Sequence, residues 1–330
     1  MAITLAEMKV GMSDKVAPQI VDIFLRESEI LQMLPFDNCV SPQGGSTLTY
    51  SYLQKKLPSV AAFRALNNEY TANAATVDKK TADLKIFGGS FEIDRVLKQA
   101  EGPFNNMAYQ IREKVLAAIS LFHYTMINGN AATTVTEFDG LDKMLTGTTS
   151  EFNTDAAIDV STMANLKTNA DALYEALQLL IKNTNADALL MNAAMIAKIQ
   201  TMARILGYKT DSEEAFGKKV VSMDGVRFMD LGNHYTVSSG SAVATACVKA
   251  GLTRTVSETS TTGLTDIYAV KFDVNDGFHA ATLTGNGAIS HYLPDFNQPG
   301  AVKKGEVEMI AATVLKNTAH AGVLRNIKIA

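Results

Sequence analysis

The feature that most constrains this chain is a long connection between two stretches of alternating apolar and polar residues. Segment 46–53 alternates with Tyr50 and Tyr52 on one face, which predicts a strand. Segment 91–96 alternates in the same way and follows Gly88-Gly89, a pair that we expect to kink or bulge the chain. The intervening segment has sparse apolar residues and no helical period, and connections beyond about 12–15 residues are unusual inside a compact domain. The sequence therefore predicts an extended hairpin that leaves the body of the subunit.

A long helix is predicted over residues 103–128, after the second of these strands. Its apolar residues recur at three- and four-residue steps: Phe104, Met107, Ile111, Val115, Ile119, Phe122 and Met126. Pro103 suits the first turn of a helix, and Gly129 suits its C-terminal end. At 1.5 Å per residue, a helix of this length spans roughly 36 Å.

The middle of the chain predicts a mixture of helices and strands. Helical spacing runs from Leu166 to Ile181, with Ser161 as the expected N-cap. A short apolar run over 186–191 then leads through Asn192 into another helix, which we expect Gly207 to end.

Two hairpins are predicted downstream of these helices. The first turns at Asp224-Gly225, because this dipeptide readily adopts the positive φ angles of a type I′ turn. The second is expected between Ile267 and Gly285, around Asn275-Asp276-Gly277.

The first forty residues predict short helices, because Pro18 and Pro35 interrupt them and Ser13 and Ser28 stand where N-caps would. One apolar stripe at helical spacing consists of Val16, Ile20, Ile23 and Phe24. This pattern predicts an amphipathic arm. It covers either a neighbouring molecule or its own domain, since periodicity does not identify the covered surface.

The composition is that of an ordered globular protein, with 47% hydrophobic and 19% charged residues. A formal net charge of -4 argues against a protein that holds nucleic acid tightly through phosphate neutralisation. No apolar run reaches the about 18 residues of a membrane span, and the N-terminus lacks the apolar core of a signal peptide. We therefore expect no membrane partner and a protein made in the cytosol, with Cys39 and Cys247 reduced.

The motifs of common enzymes and metal sites are absent or incomplete in the sequence. The histidines are scattered, and no Gly-x-Ser-x-Gly elbow occurs. Glu92 and Asp94 share a strand face, as the paired acids of a glycosidase do, but they equally make a solvated face. We expect no enzyme activity, no cofactor and no metal.

The order of these parts resembles the tailed-bacteriophage major capsid family, which has the Hong Kong 97 (HK97) fold. The similar segments are SPQGGSTLTYSY at 41–52, the helix at 104–128, ADALLMNAAMIAKIQTM at 186–202, TDIYAVKF at 265–272 and the closing segment 307–329. The resemblance covers nearly the whole chain, and it is based on the order of these segments along the sequence.

The resemblance implies a mixed α+β subunit with the parts of the HK97-like fold. These parts are an N-terminal arm (1–41), an extended loop (42–90), a peripheral domain (91–155 and 286–330) with the spine helix 103–128, and an axial domain (156–285). It implies a structural protein that self-assembles into hexamers and pentamers of an icosahedral shell around double-stranded DNA. The alternatives are an encapsulin-like bacterial nanocompartment shell and, third, an α/β enzyme.

The implied partner is first the chain itself. Because the arm begins close to Met1, we expect a separate scaffolding protein, together with a portal and possible decoration proteins. The enclosed DNA is not bound tightly or sequence-specifically, and the protein resides in the virion after assembly in the host cytoplasm.

At the extended loop, we predict contacts between subunits. The expected contact residues are Tyr50, Tyr52, Lys56, Arg64, Glu69, Lys79 and Asp83. The charged side chains of Arg64, Glu69, Lys79 and Asp83 are candidates for ion pairs between subunits, and a solvated polar face is the alternative for each.

Overall fold

The computed structural model describes residues 28–39, 48–57, 59–99, 106–153, 156–207, 211–215, 218–283 and 289–330. Helices and strands are mixed, which confirms the predicted α+β class. Most of the predicted N-terminal arm, including its apolar stripe and Ser13, lies outside the described residues. Ser28 is the predicted N-cap that falls within them, and its hydroxyl accepts a hydrogen bond from the Leu31 N–H.

The helices are α1 (Glu29–Met33), α2 (Arg95–Gln99), α3 (Asn106–Asn128), α4 (Leu141–Leu145), α5 (Met163–Thr184) and α6 (Ala193–Leu206). The first strands are β1 (Phe36–Asn38), β2 (Thr49–Leu57), β3 (Thr76–Asp83), β4 (Lys85–Asp94), β5 (Glu151–Phe152), β6 (Ile158–Asp159), β7 (Ala188–Leu190), β8 (Asp211–Ala215) and β9 (Lys218–Met223). The later strands are β10 (Val226–Met229), β11 (Asn233–Ser238), β12 (Ser241–Ala246), β13 (Ala250–Val256), β14 (Thr259–Val270), β15 (Phe278–Thr282), β16 (Ile289–Tyr292), β17 (Val302–Leu315) and β18 (Ala321–Lys328).

The first sheet is built on β17, which pairs with β15 and β16 on one edge and with β4 on the other. The register between β4 and β17 runs from Lys85 to Asp94 without a shift, so the expected kink or bulge at Gly88-Gly89 is wrong. Gly88 is needed for a different reason: a Cβ there would lie 2.0 Å from the Val307 carbonyl oxygen. The strand also ends earlier than expected, because Arg95 begins α2.

Helix α3 packs on this sheet and confirms the predicted long helix over the described residues 106–128. Pro103 and Phe104 lie outside the described residues. The buried Phe122 ring lies 5.7 Å from Phe138 and 6.1 Å from Phe87 of β4. The helix ends before Gly129, as predicted, where a Cβ would meet the Phe138 carbonyl oxygen at 2.2 Å.

The second sheet has the order β5-β18-β14-β7-β10-β9-β8, with β13 on β14 and β6 on β18. Helices α5 and α6 cover it with the buried side chains Leu166, Leu173, Leu177, Met195 and Ile199. The N-cap of α5 is Thr162 and not Ser161, because the Ser161 hydroxyl donates to Asp159. Gly207 ends α6 as predicted, and Asn192 is its N-cap, with a side chain that accepts a hydrogen bond from the Met195 N–H.

One predicted hairpin is confirmed and the other is wrong. Asp224 and Gly225 have φ angles of 54° and 80°, and they join β9 to the antiparallel β10. The hairpin expected between Ile267 and Gly285 does not form, because β15 pairs with β17 in the first sheet while β14 pairs with β18, β7 and β13 in the second. The Asn275-Asp276-Gly277 turn therefore carries the chain from one sheet to the other.

Strand pairing also crosses the predicted domain limits. The limit at 285 places β15 with the axial segment and β18 with the peripheral segment, whereas β15 hydrogen-bonds into the first sheet and β18 into the second. The loop limit at 90 falls inside β4, all of which pairs with β17. The assignment of peripheral and axial domains stays a prediction.

Candidate assembly surface

Strands β2 and β3 form an antiparallel hairpin that is separate from the two large sheets. Their register runs from Thr49 opposite Asp83 to Leu57 opposite Thr76, with a shift at Lys56. Every residue from 59 to 75 is exposed. The predicted hairpin that leaves the subunit body is therefore confirmed.

The base of the hairpin is fixed to the first sheet through Tyr50. Its hydroxyl donates to Asp37 at 2.5 Å, and its ring meets His279 edge-on with centroids 5.6 Å apart. The Lys316 ammonium lies 5.4 Å from the Tyr50 ring, and the Gln54 amide donates to the Lys316 carbonyl at 3.1 Å. These contacts lie within one subunit, so they anchor the hairpin.

The charges at this base follow from burial and hydrogen bonding. Burial raises the pKa of Tyr50, and the hydrogen bond to Asp37 raises it further, so the phenol stays neutral. Burial acts to raise the pKa of Asp37, but hydrogen bonds from Tyr50 and the Asn38 N–H lower it overall. Burial, reinforced by the Lys316 charge, lowers the pKa of His279 to about 4. At neutral pH the base therefore contains a carboxylate beside a neutral imidazole.

The far end of the hairpin exposes large apolar side chains. Val60, Phe63, Leu66 and Tyr70, which we call the tip patch, are each more than half exposed, and the Phe63 ring is fully exposed. Burying a side chain of this size contributes about 1.5–3 kcal/mol, so the tip patch is a candidate interaction surface. The sequence reasoning missed this patch because it counted the segment as poor in apolar residues. The three-residue spacing of Val60, Phe63 and Leu66 was the available signal.

Local interactions give the tip patch a defined shape. The Asn73 side chain accepts from the Val60 N–H at 2.9 Å and donates to the Val60 carbonyl at 2.7 Å. This reciprocal pair holds the two sides of the loop together. The Arg64 guanidinium lies 5.5 Å from the centroid of the Tyr70 ring, within the range of a cation–π contact.

The predicted contact residues are spread along the hairpin and do not meet at one point. Arg64 and Glu69 lie in the exposed tip, and Lys79 is exposed on β3 opposite Leu53. Asp83 lies at the base and accepts from the Thr49 hydroxyl at 2.9 Å. Lys56 lies in β2, and Tyr52 is half-buried near Tyr50, with ring centroids 6.4 Å apart. Their contacts with another subunit stay a prediction.

Within the described segments, no group of three or more His, Cys, Asp or Glu side chains is arranged to hold a metal ion. None of the helices described here is both long and apolar enough to cross a membrane. Cys39 and Cys247 are free thiols, as predicted.

The fold matches solved structures of shell proteins. The SrpI encapsulin of Synechococcus elongatus PCC 7942 has a TM-score of 0.60 at 13% identity, over 100% of this chain and 97% of that one. The capsid of the native GTA particle has a TM-score of 0.54 at 14% identity, over 92% and 90%. The Mycobacterium phage Ogopogo structure has a TM-score of 0.54 at 14% identity, over 90% and 91%. The chain therefore has the predicted HK97-like fold.

The family follows from the sequence itself. The family model of the SU10 major capsid protein matches residues 6–237, which is more than half of the chain. The chain therefore belongs to the SU10 major capsid protein family. A search of curated protein sequences finds no match.

This family membership confirms the predicted function as a tailed-phage major capsid protein, a structural subunit of the virion shell. It favours that function over the nanocompartment and enzyme alternatives, because the family is one of structural capsid proteins. The likeness to an encapsulin shows a shared fold.

Proposed function

We propose that copies of this chain assemble into hexamers and pentamers of an icosahedral shell, with the β2–β3 hairpin of each copy lying on a neighbouring copy. The observation that carries the proposal is the tip patch, a shaped group of apolar side chains held away from the subunit body. A contact between two different surfaces of identical subunits generates rings when its rotation closes.

The hairpin supplies both area and adhesion to such a contact. Stable interfaces bury above about 1,200 Å² in total, so we expect the contact to extend beyond the four side chains of the tip patch. The flanks of β2 and β3 add exposed apolar side chains at Leu53 and Val77, and charged ones at Lys55 and Lys79. We expect the apolar side chains to supply most of the adhesion, since exposed ion pairs contribute only about 0–1 kcal/mol.

The assembled shell encloses double-stranded DNA without gripping it, a proposal supported by the net charge of -4. We further propose assembly in the host cytoplasm with a separate scaffolding protein, a portal and decoration proteins, on the basis of the family.

The substitution Phe63→Asp tests the role of the tip patch. A carboxylate at this position must be desolvated in the contact, so we expect closed particles to be lost while the melting temperature of the subunit is unchanged. Particle yield is measured by electron microscopy and sedimentation. Thr71→Asp, which places the same charge at an exposed polar position of the loop, is the control and should assemble normally.

A truncation separates a role in assembly from a role in folding. Replacing segment 58–75 by Asn-Gly keeps β2 and β3 joined where Leu57 faces Thr76. We expect a folded subunit that forms no closed shell. If the truncated chain is unfolded, the segment belongs to the core, and if it assembles normally, the hairpin is not the assembly element.

A further inference from the structure

A second hairpin, β11–β12, stands apart from both large sheets. It pairs from Asn233 opposite Ala246 to Ser238 opposite Ser241, and Ser239 and Gly240 turn with φ angles of 50° and 76°. A lone two-stranded hairpin is marginally stable in water, so its strands need support from other surfaces.

One face of this hairpin is supported by α3. His234 points toward that helix, with its ring 5.4 Å from Tyr124 and its Nδ1 3.5 Å from the Ser120 hydroxyl. Because side chains alternate across a strand, Tyr235 and Val237 lie on the opposite face. The helix therefore covers this side only near His234, and every residue from 235 to 244 is exposed.

The opposite face, which we call the outer face, is apolar and exposed. It consists of Tyr235 and Val237, which are 61% and 80% exposed, together with the exposed Ala242 and Ala244 that face them across the strands. The sequence contains no Lys, Arg, Asp or Glu from Leu231 to Val248. The outer face thus lacks the charges that normally solvate an exposed strand.

The free edge of β12 is a second feature, beside the uncharged outer face, that is typical of a contact surface. Among the strands described, β12 pairs only with β11, so its other edge keeps unpaired backbone donors and acceptors. Its sequence SAVATA has neither the lysine nor the proline that usually protects an edge strand from pairing with another chain. An uncharged face beside an unprotected edge is a surface suited to a partner.

The absence of charge on the outer face limits which kind of surface can cover it. A charged group buried against it would have no counter-charge, so the covering surface must itself be uncharged. The chain carries such a surface, because Leu57 to Phe63 contains no charged residue and ends in the tip patch. A shell also surrounds each subunit with other copies of the same chain.

We propose that the outer face and the β12 edge are a second contact surface of the shell, covered by a second copy of this chain. This inference rests on the proposed assembly function and adds a surface on the receiving side of a subunit contact. Because the two uncharged surfaces differ, the contact is heterologous, as ring closure requires.

Photo-crosslinking in assembled particles tests the identity of the partner. A photoreactive phenylalanine analogue at Tyr235 should produce a crosslinked dimer of this chain on a denaturing gel, and unassembled subunits should not. Mass spectrometry of the dimer identifies the peptide from the second copy. Crosslinks confined to the same chain, or formed to a different protein, would overturn the inference.

Substitution tests the energetic role of the face. Val237→Lys should lower the yield of closed particles at least about tenfold, because it buries a charge without a counter-charge in every copy of the contact. The control Val237→Ile keeps the face apolar and should assemble like the wild type. If Val237→Lys assembles normally while Phe63→Asp does not, this inference fails and the proposed role of the β2–β3 hairpin stands.

Discussion

Single residues determine how closely the strands of the first sheet approach. At Gly88 an added Cβ would lie 2.0 Å from a backbone oxygen of β17, which does not move without disturbing the sheet. At the adjacent Gly89 the nearest atom is 3.0 Å away and belongs to the flexible side chain of Lys114. The two neighbouring glycines therefore have different tolerances for a methyl group.

We predict that Gly88→Ala lowers the free energy of unfolding by about 1–3 kcal/mol, the usual cost of overpacking. Gly89→Ala should change it much less, because Lys114 can shift. Urea unfolding of the two variants measures the difference. Equal destabilisation by both substitutions would contradict a specific steric role for Gly88.

The base of the β2–β3 hairpin should be sensitive to acid through His279. Its folded pKa of about 4 lies below the ordinary histidine pKa of 6.5, so between these values the unfolded chain binds a proton that the folded chain does not. The stability due to the neutral imidazole is present above pH 6.5 and falls by at most about 1.4 kcal/mol per pH unit as the pH drops toward 4.

His279→Gln, which does not titrate, isolates this contribution from that of Asp37, whose lowered pKa also makes stability fall in acid. As the pH falls from 6.5 to 4, we expect the unfolding free energy of the wild type to decrease relative to that of the variant. Urea unfolding at several pH values measures it. A difference that does not change with pH would contradict the prediction.

At the scale of elements, tight turns show what short sequence signals encode. Among the residues that the structure describes, three hairpins turn on two consecutive residues with positive φ: Asp224-Gly225, Ser239-Gly240 and Ser257-Glu258. The first was predicted because Asp-Gly is a strong turn signal. The third carries no glycine, so the residues alone did not indicate it, and the pairing of β13 with β14 imposes the conformation.

The Ser257-Glu258 turn provides a stability prediction. Glu258 has φ of 64°, a conformation that costs a non-glycine residue energy. Glu258→Gly should raise the free energy of unfolding by about 0.5–1 kcal/mol, after the larger chain entropy of glycine is included. Thr259→Gly, one residue later at the start of β14, should lower stability instead. Thermal unfolding compares the two variants.

At the scale of the whole molecule, surface character matches a container for DNA. The chain has a net charge of -4, while its two separate hairpins expose apolar side chains. Adhesion between copies can therefore be strong while attraction to the phosphate backbone stays weak.

We predict that purified subunits bind duplex DNA weakly at physiological salt and with a shallow dependence on salt concentration. Each phosphate neutralised would add about 0.9 to the slope of log K against log salt, so the slope counts the contacts. Fluorescence anisotropy across a salt series measures it. Tight binding with a steep slope would contradict the proposal that the DNA is enclosed without being gripped.

The sequence by itself determined the features that depend on local periodicity and turn chemistry. These are the long α3, the end of α6 at Gly207, the Asp224-Gly225 turn and the projecting hairpin. Helical spacing and positive-φ dipeptides act within a few residues, so they are visible in a single chain.

Only the tertiary structure decided which strands pair and which side chains stay exposed. Strand β15 follows β14 closely in sequence but pairs with β17, and Gly88 serves a close strand approach that nothing near it in sequence reveals. The exposure of Phe63 and of the outer face likewise depends on what the rest of the fold leaves uncovered. Strand partners and exposed fractions are set by residues distant in sequence, and local patterns do not contain them.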